Sequence, residues 1–170
     1  MGRRTITAIL LLAPFLVLAA ATTAAAGENN LIAVDANHVA IKGYETVAYF
    51  TDGKAIKGSS EFEYVFGDAR WQFSSAAHRD MFIADPDHYM PQYGGFCAGA
   101  MVFGDLHPAD PEAWTIIDGR LYMVANKGFL EKWKANFVEN IRQADAHWPT
   151  LQQRQAAQQQ TAGSHPAGLQ

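Results

Sequence analysis

The chain has 170 residues, 49% of them hydrophobic, and its 13 Lys and Arg against 17 Asp and Glu leave a net charge of −4. A balance this acidic carries no basic stripe for nucleic acid. Its single cysteine, Cys97, excludes an internal disulfide.

Residues 1–26 read as a secretory signal peptide, with Arg3 and Arg4, an apolar run from Ile6 to Ala21 and a small-residue exit at Ala24-Ala25-Ala26. The apolar run is interrupted by Pro14 and falls short of the roughly 20 residues that span a bilayer, so no permanent membrane anchor is expected. The paired arginines also suit twin-arginine export, although the residues after Arg4 match that motif poorly. Cleavage near Ala26 removes two arginines and no acid, takes the net charge from −4 to −6, and predicts a periplasmic or secreted protein. What remains is long enough for one domain with a real core.

That domain is expected over residues 30–150, in two similar units. EFEYVF and ARWQFS alternate apolar and polar residues around Gly67-Asp68, a dipeptide that closes β-hairpins. Ser74 or Ser75 then caps a helix that stops near Asp85, because Pro86 follows. Asp85-Pro86 opens a further short turn, with Asp as cap and Pro at the first helical position. About fifty residues later AWTII and RLYMV flank Asp118-Gly119, and Asn126 caps a helix carrying Phe129, Leu130 and Trp133. A helical stripe of Phe137, Ile141, Ala144 and Trp148 runs on to Pro149. Pairing Arg70 with Arg120 aligns the strand-to-helix joins but leaves the helical aromatics one residue out of step. The fold class predicted is α+β: small antiparallel β-hairpins covered by helices, in two hairpin-helix units. Residues 151–170, rich in Gln, Ala and Gly, read as a disordered tail.

Three stretches, IKGYETVAYFTDGKAIKGSSEF, WQFSSAAHRDMFIADPDHYMPQYGGFCAGAM and EAWTIIDGRLYMVANKGFLEKW leading to ADAHWP, resemble the YHS domain family, in particular its secreted single-domain branch. Together they cover nearly all of residues 39–149. The resemblance implies a small metal-binding module built on cysteines, whose positions fall here on Ala48, Ser74 and His78. Of these only His78 keeps a good donor. Cys97 lies outside that set.

Cys97 carries several readings. Thiolate, thioether and imidazole are the preferred donors of Cu(I), so Cys97 with Met101 (or Met90 or Met81) and a histidine, His78 or His107, forms a candidate metal set with copper the favoured metal. Against this, FCAGAM is a small-residue run suited to tight packing, and free cysteine is among the most buried residue types. A redox thiol is the third reading, and requires solvent access. Tyr44, Tyr49 and Tyr93 could line a pocket for a small apolar ligand. No G-x-S-x-G elbow or phosphate loop is present, so the expected function is non-enzymatic binding of a metal ion or small ligand. The alternatives are thiol-redox chemistry at Cys97 and an interaction module with a degenerate metal site.

Overall fold

Two β-hairpins, each closed by two residues in the left-handed region, organise the chain. The computed structural model describes residues 31–163; the signal peptide expected over 1–26 lies outside them, as do residues 164–170. In chain order the elements are α1 (Val47–Thr51), β1 (Ser59–Phe66), β2 (Ala69–Phe73), α2 (Ala76–Ala84), α3 (Pro86–Tyr89), α4 (Ala98–Met101), β3 (Asp110–Ile117), β4 (Arg120–Val124), α5 (Lys127–Lys134) and α6 (Phe137–Gly163). β1 pairs antiparallel with β2 and β3 with β4, as two separate two-stranded sheets. This is the α+β architecture of hairpins and helices that the sequence predicts.

Local chemistry accounts for the punctuation. Gly67 and Asp68, like Asp118 and Gly119, all have positive φ, the type I′ geometry whose twist matches that of the flanking strands. Ser75 caps α2 by accepting from the His78 N–H, Asp85 caps α3 by accepting from the His88 N–H, and Asn126 caps α5 by accepting from the Phe129 N–H. Pro86 begins α3, where its missing N–H costs nothing.

The two units are the same structure in a tighter register than Arg70 with Arg120. From Ser59 paired with Phe73 to Phe66 paired with Ala69, every cross-strand pair of the first hairpin recurs 51 residues later in the second, including the register shift between Ser59 and Glu63. Ala69, not Arg70, is therefore the counterpart of Arg120. In this register the helical aromatics fall into step: Phe82 packs on Trp71 at 5.0 Å, and Trp133 packs on Tyr122 at 5.5 Å. Upstream, Ile41, Lys42 and Gly43 have positive φ, as do Tyr93, Gly94 and Gly95. The Glu45 N–H then donates to the Ile56 carbonyl, and the Cys97 N–H to the His107 carbonyl. This segment is offset by 52, so the second unit has one residue fewer between Cys97 and His107 than the first has between Glu45 and Ile56. The pairing of Arg70 with Arg120 is out of step because it matches the two arginines, one position away from the hairpin register.

The core draws on both units, with Trp71, Phe73, Phe82, Leu121, Met123 and Trp133 among its sealed members. Tyr49 bridges the units: its hydroxyl donates to the Pro111 carbonyl at 2.8 Å and its ring meets Trp114 edge-on at 4.9 Å. α6 is tied to the loop before α4 by the Tyr93 hydroxyl, which donates to Asp145 Oδ1 at 2.8 Å, and by the Tyr93 ring against Trp148 at 5.8 Å.

One expectation is corrected here. Residues 151–163 are helix, not disordered tail, because α6 passes through Pro149 to Gly163. Ala144 and Leu151 are buried on a stripe with Ile141 and Trp148, so the apolar face continues one turn past the proline. The Gln and Ala that follow are good helix formers extending an existing helix, which avoids the nucleation cost. Among the described residues no helix is long and apolar enough to cross a membrane.

Candidate functional site

Glu45 is fully buried, immediately after the left-handed turn that leads into α1. A carboxylate removed from water is tolerable only where donors replace its hydration. Three do so. Ser74, between β2 and the cap of α2, gives its N–H to Oε2 at 3.2 Å and its hydroxyl to Oε1 at 2.7 Å. His78, in the first turn of α2, brings Nδ1 to within 3.0 and 3.1 Å of the two oxygens. The capping of His78 N–H by Ser75 fixes the start of that helix and so the place from which the imidazole reaches inward.

With a carboxylate as partner Nδ1 is the donor, so Nε2 is the ring nitrogen that Glu45 does not engage. A carboxylate behind one ring nitrogen is the arrangement that orients metal-binding histidines. His78 retains 19% side-chain exposure, so a ligand can reach it. The Ser74 hydroxyl is committed to Glu45, not to His78, so Ser74 and His78 are not set up as a nucleophile and its base. Beside Glu45 the sealed Thr46 hydroxyl has no hydrogen-bond partner among the described residues.

The second unit builds the same place from apolar parts. Cys97 stands where the first unit has Glu45, since both donate their N–H to the equivalent loop carbonyl. Ala125 replaces Ser74 and Phe129 replaces His78, in the register of the hairpins and caps. A Cβ on Gly99 would lie 2.2 Å from the Phe129 ring, so that ring lies against a glycine that must stay bare.

Of the candidate metal set, the backbone joins Cys97 to His107 and to Met101, but their side chains differ in exposure. Cys97 is 2% exposed and Met101 fully buried, both in the core, while His107 is exposed and His78 is bound to Glu45 in the other unit. Among the described residues no group of three or more His, Cys, Asp and Glu gathers to hold a metal. The accessible thiol that redox chemistry needs is not present at Cys97 either. Of the three tyrosines, Tyr49 is turned into the core, Tyr44 reaches Glu112 at 3.3 Å with Lys57 Nζ 4.3 Å from its ring centroid, and Tyr93 lines a groove with Leu31, Met90 and Trp148. They serve different contacts and do not frame one pocket.

Glu45 was absent from the sequence expectations. Its signal was present, as a lone acid inside the apolar run GYETVAYF, but only the fold shows that Ser74 and His78 close on it. Ser74 and His78 are two of the three positions to which the YHS resemblance points, and the third, Ala48, is buried in α1 one turn after Glu45. No family model, curated protein or solved structure matches the chain.

Proposed function

We propose that the protein is an exported, non-enzymatic binding module of the YHS type, and that its ligand is a metal ion taken up at His78 Nε2. The observation that carries this is the hydrogen bond from His78 Nδ1 to the buried Glu45 carboxylate, which holds the ring with its other nitrogen open. Copper remains the favoured metal, as Cu(II) rather than Cu(I): with Cys97 and Met101 sealed in the core, the soft sulfur donors are withdrawn and imidazole is what is on offer. His78 Nε2 would be the one protein donor, so binding would be weak and exchangeable. Glu45 is a positioning residue.

The experiment is metal analysis of the purified mature protein with Cu(II), Zn(II) and Cu(I) titrations of wild type, His78→Ala, Glu45→Gln and Cys97→Ser. His78→Ala is expected to abolish Cu(II) uptake, Glu45→Gln to weaken it about tenfold, and Cys97→Ser to leave it unchanged. Equal Cu(II) binding by wild type and His78→Ala would overturn the proposal.

A further inference from the structure

Four oxidisable rings form one line through the second unit. Trp148 stands 5.8 Å from Tyr93, Tyr93 6.1 Å from Tyr122, and Tyr122 5.5 Å from Trp133, centroid to centroid. The outer end, Trp148, is half-buried beside a surface groove with Met90 and Gln152, and the inner end, Trp133, is sealed. Contacts of this kind belong to any aromatic core, but three features of the line do not follow from packing. Tyr93 is a bulky residue held at φ of 56°, in the left-handed region that disfavours it, and such strain is kept where a side chain is needed in a set place. Its hydroxyl donates at 2.8 Å to Asp145 Oδ1, an exposed carboxylate on α6 one turn before Trp148, so the proton of this buried phenol has a base already aligned with it. Trp133, by contrast, has an Nε1–H that meets no acceptor among the described residues, so nothing beside it takes up a proton. The matching place in the left-handed turn of the first unit is Ile41, so the phenol and its carboxylate belong to the second unit alone.

We propose that Tyr93 and Asp145 form a redox-active tyrosine-carboxylate pair, reached from the surface through Trp148 and from the core along Trp133 and Tyr122, which draws one-electron oxidation onto a single buried residue. A one-electron oxidant at the surface takes an electron from Trp148 and is itself reduced, and Trp148 takes one from Tyr93. As that electron leaves, the phenol O–H bond breaks and the proton passes to Asp145 Oδ1, so a neutral tyrosyl radical stands beside a carboxylic acid. A one-electron reductant such as a thiolate returns the electron, and Asp145 returns the proton. Burial and donation to Asp145 hold the phenol above its ordinary value of 10.0, so at neutral pH it gives up the proton only when oxidised. The pair is distinct from His78 and needs no metal.

The test uses metal-free mature protein oxidised by a flash with photogenerated tris(bipyridine)ruthenium(III), and reads the radical by electron paramagnetic resonance and transient absorption. Wild type is expected to give a tyrosyl signal that forms more slowly in deuterated water, and Tyr93→Phe to lose it. Asp145→Asn, an exposed change, keeps a hydrogen-bond acceptor for Tyr93 but removes the base, so it is expected to leave the oxidation on tryptophan with little tyrosyl signal; this variant decides the matter even where Tyr93→Phe does not fold. Trp148→Phe is expected to slow the appearance of the tyrosyl signal. His78→Ala behaves as wild type, which separates the pair from the metal proposal. No tyrosyl signal in wild type, an undiminished signal in Tyr93→Phe, the wild-type signal and isotope effect in Asp145→Asn, or an unchanged rate in Trp148→Phe would overturn the proposal.

Discussion

Cys97 occupies in the second hairpin-helix unit the place that Glu45 occupies in the first, each donating its backbone N–H to the carbonyl of the matching loop, Ile56 for Glu45 and His107 for Cys97. One framework thus holds a buried carboxylate with three donors in one copy, and a buried thiol in the other. Removing the Glu45 carboxylate leaves those donors unsatisfied, so Glu45→Ala should destabilise by about 3 kcal/mol. Cys97→Ala should cost nearer 1 kcal/mol. Cys97→Glu should prevent folding, because Ala125 and Phe129 offer no side-chain donors. Urea unfolding of the three variants measures the ordering, and a Glu45→Ala cost no larger than that of Cys97→Ala would refute it.

The burial of Cys97 also sets its reactivity. Its thiol should react with a disulfide reagent far more slowly in native protein than in denaturant, since attack requires exposure of the thiolate. Equal rates in the two states would show that the thiol is accessible after all.

Ser75 and Asn126 are equivalent caps, accepting from His78 N–H at 3.1 Å and Phe129 N–H at 2.9 Å. Ser75→Ala and Asn126→Ala should each lose about 1 kcal/mol of stability. Ser75→Ala should in addition weaken Cu(II) uptake by loosening the turn that carries His78, whereas Asn126→Ala should not. Denaturant midpoints and the metal titration together read both effects.

Two glycines with the same need for positive φ should respond very differently to alanine. Gly119 has φ of 73° and open space around it, so Gly119→Ala should cost only the backbone strain, about 1 kcal/mol. At Gly94 a Cβ would lie 1.9 Å from the Leu31 carbonyl oxygen, so Gly94→Ala must displace backbone and should leave little folded protein. Circular dichroism melts of the pair test the contrast.

Burial holds the Tyr49 phenol above its ordinary value of 10.0, and burial together with donation to Asp145 does the same for Tyr93. Below pH 10 both phenols keep their protons in folded and unfolded chains alike. Above it the unfolded chain releases protons that the folded chain retains, so stability should fall as pH rises beyond about 10. Tyr93→Phe should flatten that decline while removing the tie to α6; an unchanged alkaline slope would show that Tyr93 contributes none of it.

Much of the local structure was legible in the chain. Gly67-Asp68 and Asp118-Gly119 announced both hairpins, and Ser74 or Ser75, Asp85 and Asn126 announced three helix starts, the first of them capped by Ser75. These features rest on φ preference, capping and periodicity over a few neighbouring residues, so the sequence by itself determined them. The register of the repeat, the helical course of residues 151–163 and the closure of Ser74 and His78 on Glu45 were decided by tertiary structure alone. Each depends on which distant segments meet: Glu45 lies 29 residues from Ser74 and 33 from His78. A carboxylate's environment is set by the donors that surround it in space, and residue spacing along the chain does not encode that.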